Sequence, residues 1–463
     1  MKHSTNICFI ANYSYTYLYH ELAKSLRDAG IQVFWIANNR KLYNFLTARY
    51  DPESVLFISR KHFHKTNRPV ADFKLHELIY GDRVLRYEPQ NGLAFLQNIQ
   101  RPIYDFLQHN QIRVVMGELT WAHEILIHRM CRQRPELNCS FISPHVVRIP
   151  DNRFAFFTDE RQCKLLEFWH DTTCTAPLQP AKPQYLELND EILKKGSSIS
   201  GRLDRARRFF SNENMDFDDP TMLVNQWWRF ASRTREEWNR LCYPLLVERT
   251  PFNAGTLKPY VFYAMHKQPE SSVDVYGRYY EDQLQLIKNL WRALPQGWKL
   301  LVKEHTNAIG DRGPGFYKTL RALPNVEIIE ETVNSYDIIE QAELVATVTG
   351  TVAYEAALMQ VPAITFAPVF FNRINYCRQA TLEDLSRNRL DAIACDLRNQ
   401  PDNRLEFSDY LLRNSFEGRF YDPQTTSESL SPENVQKLSS AIARAVFKLT
   451  GANQPSGIPV PVA

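Results

Sequence analysis

Residues 344–367 read LVATVTGTVAYEAALMQVPAITFA. An apolar run, 344–349, meets a single glycine at 350. A stretch of helical length, 351–360, follows, and a second apolar run closes the segment at 362–367. Short apolar runs rich in β-branched residues, separated by a helix-length segment, mark a strand–helix–strand unit. Two strands joined by a helical crossover lie parallel.

Working back toward the N-terminus, the same alternation repeats. SYDIIEQA (335–342), VEIIE (326–330), GFYKTLRAL (315–323), KLLVKEH (299–305), YYEDQLQLIKNLWRAL (279–294) and YVFYAM (260–265) read in turn as helix, strand, helix, strand, helix and strand. Such a series predicts a parallel sheet with helices on both faces. An earlier series begins at NICFIA (6–11), passes through a helical pattern on Leu18, Leu22 and Leu26 that stops at Gly30, and continues with IQVFWIA (31–37). IYDFLQHN, RVVMGE, WAHEILIHRMCRQ, NCSFISP and FAFFTD extend it to residue 159. The turn after its first strand, NYSYTY, contains no glycine. The dinucleotide fingerprint, which needs glycine for close backbone approach to a pyrophosphate, is therefore missing.

Between the two series the texture changes. A proline-punctuated link, APLQPAKPQ, precedes KKGSSISGRLDRARRFF and NQWWRFASRTREEWNRL. We read residues 176–250 as a helical insertion between an N-terminal domain, 1–175, and a C-terminal domain, 251–430. An amphipathic closing helix and a loose tail occupy 431–463. The basic, aromatic stretch 195–240 is a candidate for peripheral contact with a membrane, or else a solvated helical face with buried tryptophans. A chain of 463 residues exceeds what one core organises, and both series need their own sheet. The fold class is α/β: two Rossmann-like domains facing across a cleft, with the insertion between them.

Net charge is +3, so the overall balance calls for no nucleic acid. The eight cysteines show no CxxC or metal-type spacing, and we expect reduced thiols, a cytoplasmic protein and no metal. The first residues read as a strand rather than a secretory leader, and no window is apolar enough to span a membrane.

Ligands of open α/β sheets bind beyond the carboxyl ends of the strands. Lys303 and His305 end one strand and share a face by strand alternation, with Glu304 opposite; they suit phosphates, or form an ordinary polar strand end. Thr349, Gly350 and Thr351 lead into a helix whose free N–H groups suit phosphate oxygens. Glu355, one turn in, suits ribose hydroxyls or serves only the helix dipole. His266, Gln268 and Glu270 lie in a polar loop after another strand end. In the N-terminal domain Glu118 ends strand RVVM, as a general base for an acceptor hydroxyl or as a buried helix cap. Glu124 is the poorer candidate. His145 and Arg148, with Arg153 nearby, are candidate contacts for an anionic sugar or phosphate, against the alternative of ordinary surface ion pairs.

With these residues in view, HKQPESS (266–272), the run 279–305 and the run 334–366 resemble the capsular-polysaccharide-synthesis glycosyltransferases of the GT-B type, which include the Kdo transferases of capsule assembly. GELTWAHEILIHRM and ISPHVVRIPDNRFAFF resemble the acceptor-side domain of bacterial polysaccharide biosynthesis proteins. The resemblance implies a metal-independent transferase that takes a nucleotide-sugar donor on the C-terminal domain and passes the sugar to a glycan or lipid-linked acceptor, at the inner face of the membrane. It implies no cofactor beyond the donor itself. A Lys-x-His motif and a Thr/Ser-Gly-Thr…Glu motif hold the nucleotide in that family, and they map onto Lys303 and His305 and onto Thr349, Gly350, Thr351 and Glu355. Thr306 stands where the family reads proline, a departure that bears on donor geometry. The rival expectations are a non-hydrolysing nucleotide-sugar epimerase and a non-catalytic polysaccharide-binding or assembly protein on the same scaffold.

Overall fold

The run expected as a first strand forms β1 (Ile7–Ile10), between parallel neighbours β2 (Val33–Ala37) and β4 (Val114–Met116). All four of its residues are buried, as a strand covered on both faces requires. The protein is described by a computed structural model over residues 5–65, 67–181, 207 and 215–452. These residues form two units. Unit 1 takes the chain up to Thr173, the stretch ending at Val224 and the residues from Leu411 onward; unit 2 takes Cys174–Pro180 and Asn225–Tyr410.

Unit 1 adds β3 (Val55–Phe57), β5 (Ser140–Val146), β6 (Arg153–Phe157) and β13 (Phe416–Glu417), in the order β13-β6-β5-β4-β1-β2-β3. The five strands from β5 to β3 are parallel. FAFFTD departs from the parallel expectation, because β6 runs antiparallel to β5. Only residues 147–152 join them, too few for a crossover. β13 pairs antiparallel with β6 and ends the sheet.

Unit 2 holds β7 (Tyr260–Ala264), β8 (Lys299–Lys303), β9 (Val326–Ile329), β10 (Leu344–Thr347), β11 (Ala363–Thr365) and β12 (Cys377–Gln379). All are parallel, in the order β12-β11-β10-β7-β8-β9. Counted from β7, the sheet grows first to one side and then, from β10, to the other. That is the doubly wound, Rossmann-like order, with its switch point between β7 and β10.

The packing draws different boundaries from those read off the sequence. The chain returns to unit 1 at Leu411 instead of staying in the C-terminal domain to residue 430. The closing helix, Pro432–Thr450, is capped by Ser431, begins with proline and stops at left-handed Gly451. Its Leu438, Ala441, Ile442, Ala445 and Val446 enter the core with Leu18, Leu22 and Leu26 of the Tyr15–Asp28 helix. The expected insertion is divided as well. Residues 215–224 belong to unit 1, the helix Gln226–Leu246 belongs to unit 2, and the basic run 194–210 lies outside the described residues except for Arg207.

Candidate functional site

Register fixes which strand ends lie side by side in unit 2. Ala264 of β7 is level with Lys303 of β8, and Tyr263 with Ala346 of β10. Two residues further on, the chain leaves β7 at His266, β8 at His305 and β10 at Thr349. These three positions form a row past neighbouring strand ends, at the edge where such sheets bind ligands.

His266 takes the middle of the row and is buried. Its Nε2 stands 2.8 Å from Thr347 Oγ1 and accepts from the Thr349 N–H at 3.4 Å. The Thr349 hydroxyl donates to the Ser272 carbonyl at 2.9 Å, and the Gly350 N–H donates to Thr347 Oγ1 at 3.3 Å. A Cβ on Gly350 would lie 2.6 Å from Thr347 Oγ1 and 3.3 Å from His266 Cε1. Glycine is required here by close approach, not by a left-handed backbone, since φ is −66°. Gly350 caps the helix Thr351–Leu358, which is buried on every side except at Thr351 and Glu355. These are i and i+4, one above the other on a single open face.

β8 ends at Lys303, so the alternation expected of a strand running through Lys303, Glu304 and His305 is not carried on: Lys303 and Glu304 are both buried and His305 is exposed, with the Glu304 side chain fully buried. It does not pair with Lys303. Arg312 clasps it with contacts of 2.8 and 2.9 Å, and the Tyr317 hydroxyl donates to it at 2.6 Å. Arg312 also donates to the His266 carbonyl at 2.6 Å and Glu304 accepts from the His305 N–H at 2.9 Å, so one buried ion pair fixes two members of the row. Lys303 lies beneath the surface with Nζ 3.3 Å from Ser335 Oγ, and burial pulls its pKa down. The next residue, Tyr336, lies against Glu355; burial first and that carboxylate second push its phenol up. The short helix Ser335–Glu340 thus links the Lys303 motif to the Glu355 motif. His305 caps the following turn, its Nδ1 accepting from the Asn307 N–H at 3.2 Å. Burial lowers its pKa against the opposing pull of Glu270 and Glu304.

Gln268 and Glu270 are engaged in the loop itself. Gln268 donates to the Glu281 carbonyl at 2.9 Å and accepts from Gln283 at 2.6 Å. Glu270 accepts from the Ser272 hydroxyl at 2.9 Å. Gln283 also grips both the N–H and the carbonyl of His266, so this cluster braces the imidazole. Gln283, Arg312 and Tyr317 carry no signal in the spacing of the sequence. His266 does, as the second residue past a strand end.

In unit 1 the corresponding switch point lies between β1 and β4, whose ends carry Asn12 and Glu118. Asn12 Nδ2 donates to Glu118 Oε2, and the Trp121 indole donates to Asn12 Oδ1 at 3.3 Å. The capping role set against catalysis for Glu118 falls to Glu124. Fully buried, Glu124 accepts from the N–H groups of Glu118, Thr120 and Trp121 at the head of the helix Ala122–Gln133. Glu118 is partly exposed, and burial together with the Glu124 charge pushes its pKa up to about 8. Burial and Arg148 push His145 down to about 4, and its Nδ1 stands 2.9 Å from the Val146 carbonyl. His145 is therefore uncharged at neutral pH and is no cation for an anionic sugar. Arg148, with φ of +69°, carries the charge of that pair. Arg153 holds the Ser415 carbonyl at 2.8 Å and so pins β13.

Residues 215–224 cross the carboxyl ends of β1, β2 and β3. Thr221 meets the Tyr13 hydroxyl at 3.0 Å, Asp219 accepts from Asn39 at 2.9 Å, and Arg60 donates to the Met222 carbonyl at 2.7 Å. A depression lined by Arg27, Gly30, Tyr50 and Asn110 lies at the opposite, amino-terminal edge of this sheet, away from the strand ends where ligands of such folds bind.

No protein-family model matches the chain, and no curated protein matches it. Similar solved structures include the β-Kdo 2,7-transferase of KpsC from Thermosulfurimonas dismutans, 17% identical, covering 70% of this chain and 84% of that one with a TM-score of 0.34. UDP-GlcNAc 2-epimerase from Methanocaldococcus jannaschii is 13% identical and covers 88% and 97%, with a TM-score of 0.25. A glycosyltransferase from Rickettsia africae is 11% identical and covers 97% and 99%, with a TM-score of 0.27. Likenesses at these scores carry no argument about what this chain does.

Proposed function

We propose that this chain is a glycosyltransferase of surface-polysaccharide synthesis that takes its sugar from a nucleotide-sugar bound at the carboxyl edge of unit 2. The observation that carries this reading is the Gly350 turn. A glycine with no room for a Cβ, two threonine hydroxyls, a buried imidazole and a helix N-terminus converge at the switch point of a doubly wound sheet. Backbone N–H groups and a positive helix end favour phosphate. Glu355, on the open face one turn further in, takes the ribose hydroxyls. Lys303 and His305 supply the neighbouring donors.

In the transfer step Glu118 accepts the proton of the acceptor hydroxyl, whose oxygen bonds to the anomeric carbon. The bond from that carbon to the phosphate oxygen breaks, and the leaving phosphate keeps the electron pair. The positive N-terminal end of the helix Thr351–Leu358 offsets the charge that develops there. The polysaccharide context rests on the sequence resemblance. Thermal denaturation with CMP-, UDP-, GDP- and dTDP-sugars tests the donor site, since a ligand of the folded state raises the melting temperature by mass action. Conversion of a donor to another sugar with no acceptor present would favour the epimerase instead.

A further inference from the structure

Among the described residues, the helix Gln226–Leu246 is anchored to unit 2 through one side. Asn239, Cys242 and Tyr243 are its buried residues. Asn239 donates to the Gly310 carbonyl at 3.1 Å, Arg240 donates to the Ile309 carbonyl at 3.3 Å, and the Tyr243 ring packs edge-on against Tyr317 at 5.2 Å. Gly310, at φ +104°, leaves no room for a Cβ, which would lie 2.7 Å from the Glu236 carbonyl oxygen.

Another side is apolar over its length except at Thr234, whose hydroxyl donates to the Phe230 carbonyl. At 3.6 residues per turn, Trp227, Phe230, Ala231, Thr234, Trp238, Leu241 and Leu245 fall within one arc of about 100°. All seven are exposed, Trp227 by 80%, Trp238 by 64% and Leu245 by 82%. Exposed apolar residues are ordinary when scattered, but a continuous row of them marks a binding surface. No acidic residue falls within the arc. Arg235 stands beyond one edge of the arc, and Glu237, then Arg233, beyond the other; the helix as a whole carries four arginines against two glutamates. Glu236 and Glu237 lie outside it, paired with Arg233 at 3.3 Å and Arg240 at 2.8 Å.

The row is one helix wide and about 27 Å long, a footprint on the order of 300 Å². A stable protein–protein interface needs about 800 Å² from each partner, so a second copy is poorly matched to it. Indole rings, by contrast, prefer the boundary between water and acyl chains, and the net positive charge of a helix with four arginines and two glutamates complements anionic headgroups. We infer that this face of the helix lies in the headgroup boundary of a bilayer carrying anionic lipid, with the helix axis along the surface. No helix among the described residues is long and apolar enough to cross a membrane, so this contact is peripheral. It rests on none of the groups assigned to the donor.

The test is co-sedimentation of the full-length protein with vesicles of phosphatidylcholine alone and of phosphatidylcholine with phosphatidylglycerol in equal parts. The parent partitions onto the mixed vesicles with a blue shift of tryptophan fluorescence. Trp227→Ser, Trp238→Ser and Leu245→Ser together lower the partition coefficient about tenfold or more and leave the melting temperature unchanged, because all three side chains are mostly exposed and lie outside the core of unit 2. Arg233→Glu with Arg235→Glu removes the preference for phosphatidylglycerol. A parent that stays in the supernatant with both vesicles, or a triple variant that partitions like the parent, overturns the inference. So does a triple variant that turns a dimer into a monomer in gel filtration, which would assign the face to a second copy. Nucleotide-dependent stabilisation is the same in all variants, so failure here is separable from failure of the donor site.

Discussion

Glu118 and Glu124 lie six positions apart at one strand end, and their surroundings give them different work. Glu124 is spent on three backbone N–H groups. Glu118 keeps an open side and a pKa pushed up to about 8 by burial and its neighbour. A base must be ionised to accept a proton, so turnover should rise with pH and level off above about 8. Glu118→Gln should lower turnover by roughly 10²-fold or more without changing donor affinity, as read by steady-state kinetics beside calorimetry. Asn12 favours the ionised form by donating to it, so Asn12→Ala should move the midpoint of the pH profile upward, an effect that a purely structural asparagine would not have. Stability supplies an independent check. A glutamate with a folded pKa above its unfolded value of about 4.3 holds an extra proton when folded, so stability falls as pH rises from there to about 8. Glu118→Gln removes that slope and should melt above the parent at higher pH. The sequence could nominate Glu118, Lys303, His305 and Glu355 because position past a strand end is legible from periodicity. It could not divide the roles of Glu118 and Glu124, or disclose Arg312 and Gln283, because those depend on which loops fold back onto the strand ends.

At the level of elements, the strand–turn–helix unit 344–358 bears the donor reading. Gly350→Ala forces a Cβ against Thr347 and His266, and donor affinity should weaken about tenfold or more because the turn must open. Titration calorimetry measures this directly. The ion pair beneath the row bears on stability: Arg312→Met leaves the carboxylate of Glu304 buried without its cation and should cost about 3 kcal/mol in a denaturant titration. Evenly spaced apolar runs made five of the six strands of unit 2 readable; β12, the three residues Cys377–Gln379 with no apolar run, was not read. Direction was not readable in unit 1, since an apolar run such as 153–157 looks the same whether it is reached by a crossover or by the short turn 147–152. β13, only two residues long, has no periodicity to detect.

Over the whole molecule, unit 1 is closed by the end of the chain. β13 and the Pro432–Thr450 helix return to it after unit 2 is complete. An amphipathic pattern tells that a helix covers a sheet but not which sheet, so the sequence reading left this crossing unseen. A chain that stops at residue 410 should therefore lose the cooperative melting of unit 1, seen in calorimetry as a missing transition, because Leu438, Ala441, Ile442 and Val446 are withdrawn from its core. Two doubly wound units with distinct strand-end chemistry are the scaffold of the proposal, and its central claim is that unit 2 holds a nucleotide-sugar at the Gly350 turn. The most direct measurement is the thermal shift of the parent and of Gly350→Ala across CMP-, UDP-, GDP- and dTDP-sugars. The account predicts that one nucleotide class raises the melting temperature of the parent and that the variant needs about tenfold more ligand for the same shift. Stabilisation by none of them, or equal stabilisation of parent and variant, would contradict it.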